Sequence, residues 1–177
     1  MQQLSRSQGE RPVLRPRGKN KIINKNIMTN EKLTEHFTLE EMTKTGSKAD
    51  NTPSAEQVKN LKRLCWWLEM LRGRWNRKYG DGDDPIVVNS GYRSAEVNKE
   101  VGGVANSNHL TGCAVDIRVT GMDQMIRYAN ILLDISDENN ELFDELLMEH
   151  KDGKMWLHFA VRPTGNRRKI NILKTTN

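Results

Sequence analysis

The sequence predicts an α+β domain in which a small antiparallel sheet carries helices on one side. Two patterns lead to this fold class. Apolar residues recur at helical spacing through the first half of the chain, whereas short strand-like runs, two of them joined by Asp-Gly, fill much of the second half. A chain of 177 residues suits one domain. We place that domain at residues 28–165, between an N-terminal tail (1–27) and a polar C-terminal tail (166–177).

The N-terminal tail carries the net charge. The chain has a net charge of +5, and residues 1–27 hold seven Lys or Arg and one acid, so the remainder is close to neutral. Because it has few large apolar residues and no periodicity, we expect the tail to be disordered. One interpretation is a solvated extension or leader, which would be absent if Met28 is the true start. The other is a segment that contacts nucleic acid or an anionic envelope polymer. The near-neutral domain argues against a nucleic-acid partner.

Composition also limits the compartment. No apolar run approaches the ~20 residues that a membrane span needs, and no apolar segment follows the basic N-terminus as in a signal peptide. We therefore expect synthesis in the cytoplasm and no membrane span, and we also expect a monomer. Cys65 and Cys113 should be reduced, and the absence of a C-x-x-C pair excludes a thiolate zinc site.

Two helices are predicted ahead of the strands. The first lies within residues 36–42, where Thr38 and Glu41 have capping-box spacing. The longest begins at Ser54 and runs to about Tyr79. Its apolar residues at helical spacing form the expected buried stripe. The stripe consists of Val58, Leu61, Leu64, Cys65, Leu68, Leu71 and Trp75, broadened by Trp66, Trp67 and Met70.

Two shorter helices alternate with the strands. Ser94 is placed to cap a helix over Ala95–Glu100. Residues 122–135 form an amphipathic helix. Its inward residues are Met125, Ile126, Ala129, Leu132 and Leu133. Strands are predicted at residues 86–90, 113–119, 143–149 and 155–161.

The last two strands form a hairpin whose register follows from its turn. Asp-Gly favours a two-residue turn, which we place at Asp152-Gly153. Counting outward, Glu149 then faces Trp156 and Leu147 faces His158. Because side chains alternate along a strand, these four residues share one face, and Glu149 is a diagonal neighbour of His158. The opposite, core-facing set is Leu146, Met148, Leu157, Phe159 and Val161.

Three residues form a candidate zinc site. His109 and Asp116 lie on two sides of a turn at Gly112, and His158 is in the last strand. A catalytic zinc needs three protein ligands of these types and leaves a fourth position for water. The H-x6-D spacing is a weak signal by itself, since a lone His beside a strand is more often a hydrogen-bonded structural residue.

Two further residues have candidate roles in catalysis. Glu149, beside His158 but outside the ligand set, can act as general base; the alternative is a solvent-facing Glu on an edge hairpin. Arg93 can bind a substrate carboxylate or stabilise an oxyanion; the alternative is an ion pair with a nearby acid.

Three sequence motifs indicate a resemblance to a known family. They are S-G-Y-R-S-A-E-V-N (90–98), V-G-G-V-A-N-S-N-H-L-T-G-C-A-V-D-I (101–117) and W-L-H-F (156–159). In this order they resemble the zinc D-alanyl-D-alanine carboxypeptidases and their phage-endolysin relatives, in the lysostaphin/D-Ala-D-Ala/hedgehog superfamily. The resemblance runs from about Leu33 to Val161. It implies a zinc site on the sheet and cleavage of peptide bonds in peptidoglycan stem peptides.

The resemblance also implies residue roles. His109, Asp116 and His158 correspond to the zinc ligands, Arg93 to an arginine that contacts the substrate or transition state, and Ser107 to a serine near the bound peptide. We add Trp156, on the predicted site face, to the substrate-binding residues. Many members carry the catalytic acid within three residues before the last His, but here those positions are 155–157, M-W-L, which leaves Glu149.

The expected function is therefore a zinc metallopeptidase that degrades cell-wall peptides, as a carboxypeptidase or an endolysin-type endopeptidase. The substrate partner would be a peptidoglycan stem peptide. The absence of a signal peptide suits a phage or prophage protein that reaches the wall after release. The alternative is a non-catalytic module of the same fold that binds cell-wall peptides.

Overall fold

The computed structural model describes residues 31–174, so the prediction of a disordered tail at 1–27 lies outside the described residues. The helices are α1 (Leu39–Thr43), α2 (Ala55–Lys78), α3 (Ala95–Glu100) and α4 (Met122–Asn139), with a short 3₁₀ helix at Asn108–Thr111. The strands are β1 (Val88–Ser90), β2 (Ala114–Arg118), β3 (Glu145–Lys151), β4 (Lys154–Ala160) and β5 (Lys169–Lys174). None of the helices in this described range has the length and apolarity to cross a membrane.

The strands form one sheet in the order β1-β2-β4-β3-β5. The pairs β1–β2, β2–β4 and β3–β4 are antiparallel, and β5 pairs parallel with β3. The predicted α+β class is confirmed. A bulge in β1 brings Ser90 level with Asp116 of β2, which is the first step in building the site.

The fifth strand was not predicted, because the sequence analysis assigned it to a polar C-terminal tail. Its segment lies at the sheet edge and exposes Ile170 and Ile172, so it lacks a buried apolar run. Pairing with β3 starts where Arg168 N donates to Phe143 O (2.8 Å) and Lys169 N to Asp144 O (2.9 Å). These contacts join distant parts of the chain, which a local pattern does not encode.

The hairpin has the predicted register. Glu149 faces Trp156, and Leu147 faces His158. Both turn residues, Asp152 and Gly153, have positive φ (50° and 74°), as a two-residue type I′ turn requires. The register prediction is therefore confirmed.

The helix starts also agree with their capping residues. Thr38, Ser54 and Ser94 each accept a hydrogen bond from a backbone N–H in the first turn, and Ser54 forms a full capping box with Gln57. The fourth helix continues past residue 135 and ends where Asn140 adopts a left-handed conformation (φ 50°).

Two inward assignments are wrong. Trp66 is 64% exposed and Ile126 is 44% exposed, whereas their neighbours Cys65 and Met125 are buried. Consecutive helical residues are rotated by about 100°, so a residue beside the buried stripe can point to solvent. An apolar side chain does not by itself identify the buried face.

The core lies on one side of the sheet. Phe159 of β4 packs against Trp67 of α2 (ring centroids 5.3 Å apart) and against Phe143 (5.7 Å). Leu146 and Leu157 on the same face are fully buried. Helices cover this face. Because side chains alternate along a strand, the other residues of β2, β3 and β4 point to the opposite face, where the candidate site lies.

Candidate metal centre

The three predicted ligands converge. Asp116 pairs directly with His158 across β2 and β4, and His109 reaches them from the 3₁₀ helix before β2. His158 Nδ1 lies 2.9 Å and His109 Nε2 lies 3.3 Å from Asp116 Oδ1. The ligand atoms all lie within 4.8 Å of one another. All three residues are buried.

Local structure fixes the position of His109. The Ser107 hydroxyl accepts a hydrogen bond from His109 N at the start of the 3₁₀ helix, and Gly112 ends this helix with φ 70°. A Cβ on Gly112 would lie 2.7 Å from the carbonyl oxygen of Gln57 in α2. Glycine therefore supplies both the left-handed turn and the close approach to α2.

Each imidazole is oriented by a contact of its outer nitrogen, the ring nitrogen that points away from Asp116. His109 Nδ1 donates to Gly91 O at 2.6 Å, which turns Nε2 toward Asp116. His158 Nε2 lies 3.6 Å from Glu145 Oε2, and its Nδ1 faces Asp116. Outer-nitrogen partners of this kind orient metal-binding histidines. Two imidazole nitrogens and one carboxylate oxygen thus form a donor set that fits Zn²⁺.

The electrostatics favour a positive charge at this point. Burial alone would raise the pKa of Asp116, but the facing imidazoles of His109 and His158 outweigh burial and hold it well below its ordinary value. Burial alone would lower the pKa of His158, but Asp116 and Glu145 raise it to about 9. A proton or a metal ion among these atoms is therefore stabilised.

Arg93 lies beside the cluster after β1. Its Nε donates to Ser90 Oγ at 2.8 Å, and its Nη2 donates to Asp116 Oδ2. The ion pair with a nearby acid, which the sequence left open, is therefore present. Arg93 also lines the cavity above the three ligands, so pairing does not remove it from the site.

Glu149 and Trp156 lie on the site face, as the register predicts, and both line the same cavity. The indole Nε1 of Trp156 donates to Glu149 Oε2. Burial raises the pKa of Glu149, and the nearby imidazole of His158 only partly opposes it. Ser107 lines the cavity as well.

The cavity has a volume of about 650 Å³, and several residues of its wall were not predicted. Glu145 could have been found, because strand alternation places it on the same face of β3 as Glu149. Arg167 and Lys169 could not, since β5 and the loop before it were assigned to a tail. The missed polar residues of the wall are Asn106, Asn108, Glu145, Lys151, Arg162, Arg167 and Lys169.

Comparison with known proteins gives a family match and a relative. The Peptidase M15 family model matches residues 35–140, a range that includes His109 and Asp116 and ends before His158. A zinc D-Ala-D-Ala carboxypeptidase of Streptomyces albus G is 42% identical over 52 residues. The match covers 29% of this chain and spans 18% of the length of that relative.

Proposed function

Because the chain belongs to the Peptidase M15 family, we propose that it is a zinc-dependent peptidase that hydrolyses peptide bonds of bacterial peptidoglycan stem peptides. The observation that carries the proposal is the meeting of His109, Asp116 and His158 in one cavity with Glu149. The similar carboxypeptidase, by its name, is a zinc enzyme. Such a substrate places the protein's action at the cell wall.

We assign His109 Nε2, His158 Nδ1 and an Asp116 oxygen as the zinc ligands. Their convergence and the outer-nitrogen contacts with Gly91 O and Glu145 support the assignment. Zinc bound there would polarise the scissile carbonyl and lower the pKa of its water toward about 7.

Glu149 is the proposed general base. It takes a proton from the attacking water and passes it to the leaving amine. Burial raises the pKa of its carboxyl group toward the range that suits a base near neutrality. The Trp156 N–H holds Oε2, which fixes the carboxylate while Oε1 is left to exchange the proton.

Arg93 is the proposed electrophilic partner. Its Nε and Nη2 are held by Ser90 and Asp116, so the guanidinium is fixed at the cavity wall. From this position it can donate to the substrate carbonyl as negative charge develops. Ser107 and Trp156 line the same cavity and are proposed to contact the bound peptide.

Digestion of purified cell wall, analysed by mass spectrometry of the released muropeptides, tests the function. The native protein and Glu149→Ala would be compared, with exposed Glu100→Ala as control, and zinc content would be measured for each. We expect cleavage by native protein and the control, and none by Glu149→Ala with its zinc retained. The released peptides would also separate carboxypeptidase from endolysin-type endopeptidase activity.

Two outcomes contradict the proposal. Cleavage by Glu149→Ala at the native rate would remove Glu149 from the mechanism. The absence of cleavage by zinc-loaded native protein on its natural wall would favour a module that binds cell-wall peptides without cutting them.

A further inference from the structure

The cavity has two chemically different ends. Along β3, Glu149, Lys151 and Trp156 line the cavity on one side of Leu147, whereas Glu145, Arg162, Arg167 and Lys169 line it on the other. The cations at the second end face two carboxylates, those of Asp144 and Glu145. Three positive charges against two negative charges leave one positive charge. This end of the cavity therefore favours an anion.

Most of the cationic groups at this end are already paired. Arg167 donates from Nε and Nη2 to the two oxygens of buried Asp144 (2.7 and 2.8 Å), and its Nη2 also contacts Glu145. Lys169 Nζ lies 3.3 Å from Glu145 Oε1. The Nε–Nη2 edge of the Arg167 guanidinium is therefore occupied, and Lys169 offers an ammonium rather than a pair of parallel donors.

Arg162 differs from Arg167 because the contacts of its side chain use only Nε. Nε lies 2.8 Å from Asn108 Oδ1 and 3.0 Å from Asp144 Oδ2. Within residues 31–174, its two terminal nitrogens have no hydrogen-bond partner. A guanidinium whose Nη1 and Nη2 are open retains the parallel donors that match a carboxylate bidentately.

The backbone of Arg162 is held as well. Arg162 N donates to Asn166 Oδ1 (2.7 Å), and Asn166 Nδ2 donates back to Arg162 O (3.0 Å). The preceding residue, Val161, is fully buried and donates from its backbone to Cys113 O. With backbone and Nε both fixed, little conformational entropy is lost when a ligand binds the open nitrogens.

We propose that Arg162 forms a subsite for a carboxylate of the substrate peptide, at the end of the cavity opposite Glu149. This inference rests on the proposed function, since it takes the ligand to be a stem peptide. The carboxylate comes either from the peptide C-terminus or from a side branch of the peptide. Arg162 then selects peptides by charge and fixes their direction across the metal centre, without taking part in the proton transfers.

Calorimetric binding of synthetic stem peptides tests the subsite. The probes are the pentapeptide L-Ala-D-isoglutamate-L-Lys-D-Ala-D-Ala, its C-terminal amide, and its D-isoglutamine form, so each carboxylate is neutralised separately. Zinc-loaded protein carrying Glu149→Ala is used so that the peptide is not consumed, and mass spectrometry checks that it stays intact. Arg162→Gln and Arg168→Gln are then added singly to this protein.

Arg168 is the matched control. Its side chain is as exposed as that of Arg162 (35% each), but its Nη1 pairs with Asp137 of α4, away from the cavity. We expect Arg162→Gln to weaken binding of the free acid about tenfold or more. Amidation of the carboxylate that Arg162 binds should weaken binding to the Glu149→Ala protein by the same factor as the Arg162→Gln substitution. The same amidation should have no further effect once Arg162→Gln is present. Arg168→Gln should bind all three peptides like its parent.

Three outcomes overturn the subsite. These are equal losses for the acid and both amides in Arg162→Gln, unchanged affinity in Arg162→Gln, and no measurable binding of any of the peptides. Failure of the proposed function is measured separately, as no hydrolysis of the pentapeptide by zinc-loaded native protein. Charge-selective binding without hydrolysis would support the subsite and contradict the peptidase function. Hydrolysis without charge selection would support the peptidase function and contradict the subsite.

Discussion

Glu145 and Glu149 lie two residues on either side of Leu147, which faces His158. The two carboxylates therefore flank the same imidazole from the same face of β3. The contact with His158 and, after it, the contact with Lys169 lower the pKa of Glu145 to about 2 despite burial, and Arg167 Nη2 lies 2.9 Å from its Oε1. Glu149 forms no ion pair with a Lys or Arg among residues 31–174, although Lys151 lines the same cavity, and burial raises its pKa.

This difference separates two roles that one residue type can have. A carboxylate kept ionised by cations is suited to hold an imidazole in place. A carboxylate whose charge is disfavoured by burial is suited to exchange a proton. We therefore expect Glu149 to react and Glu145 to position His158. Five predictions follow from this division and its ion-pair network, from the largest expected effect to the smallest.

Glu149→Gln should lower the hydrolysis rate by about 10²–10⁴-fold, the usual contribution of a general base. The amide still accepts the hydrogen bond from Trp156, so the fold and the metal centre should be retained. Initial rates on a stem peptide, together with zinc content by atomic absorption, measure both properties. A rate within threefold of native would place the base elsewhere.

Asp144→Asn would disturb the cations on the Glu145 side. Asp144 is fully buried and binds Arg162, Arg167 and Asn108, so the free energy of unfolding should fall by about 2 kcal/mol, below the range for fully buried pairs because both arginines are partly exposed. Urea denaturation at pH 7 measures the change. A change under 0.5 kcal/mol would mean that the network contributes little.

The same ion-pair network predicts a pH dependence of stability. Burial alone would raise the pKa of Asp144, but Arg167 and Asn108 outweigh it, so the folded-state pKa lies below the ordinary 3.8. The contribution of Asp144 to stability is then present above its unfolded-state pKa, and it is lost as pH falls through the folded-state pKa. The native and Asp144→Asn unfolding free energies should converge at low pH, and parallel curves would contradict this.

Glu145→Gln should weaken zinc binding about 10–100-fold, as loss of an outer partner of a ligand does. At saturating zinc the maximal rate should stay near native, since Glu149 is intact. Competition with a zinc-binding dye gives the affinity. Native affinity in this variant would show that Glu145 does not orient His158.

Trp156→Phe should have the smallest effect of these variants, and it tests the role of Glu149 alone. It keeps an aromatic ring but removes the N–H that bonds Glu149, a contact that lowers the pKa of that carboxyl group. The pKa should rise further above 4.5, so the acid limb of the pH–rate profile should move to higher pH, with less than about tenfold loss at the optimum. An unchanged acid limb would mean that Glu149 does not set it.

The sequence locates both glutamates on one face of β3 but indicates the role of only Glu149. Asp152-Gly153 defines a two-residue turn, and counting from it places Glu149 beside His158, as observed. The same count reaches Glu145, but nothing local to β3 indicates that cations surround it. Those cations come from Arg167 and Lys169, on a loop and edge strand whose pairing with β3 depends on distant contacts.

The ligand cluster was predictable for a related reason. His109 and Asp116 flank a turn that Gly112 marks, and His158 lies on the strand that pairs with β2. The orientation of the imidazoles was not predictable, because it depends on Gly91 O and Glu145, which reach the histidines only in the folded chain. The prediction that Trp66 is buried was wrong because the local sequence does not show which face of the helix is covered.

Hydrolysis of a stem peptide as a function of buffered free zinc, measured in parallel for native protein, Glu149→Gln and Glu145→Gln, tests the division of roles most directly. We expect Glu149→Gln to stay inactive at every zinc concentration, although it binds zinc like the native protein. We expect Glu145→Gln to reach the native maximal rate at a higher zinc concentration. Activity in Glu149→Gln, or a loss in Glu145→Gln that zinc does not restore, would contradict it.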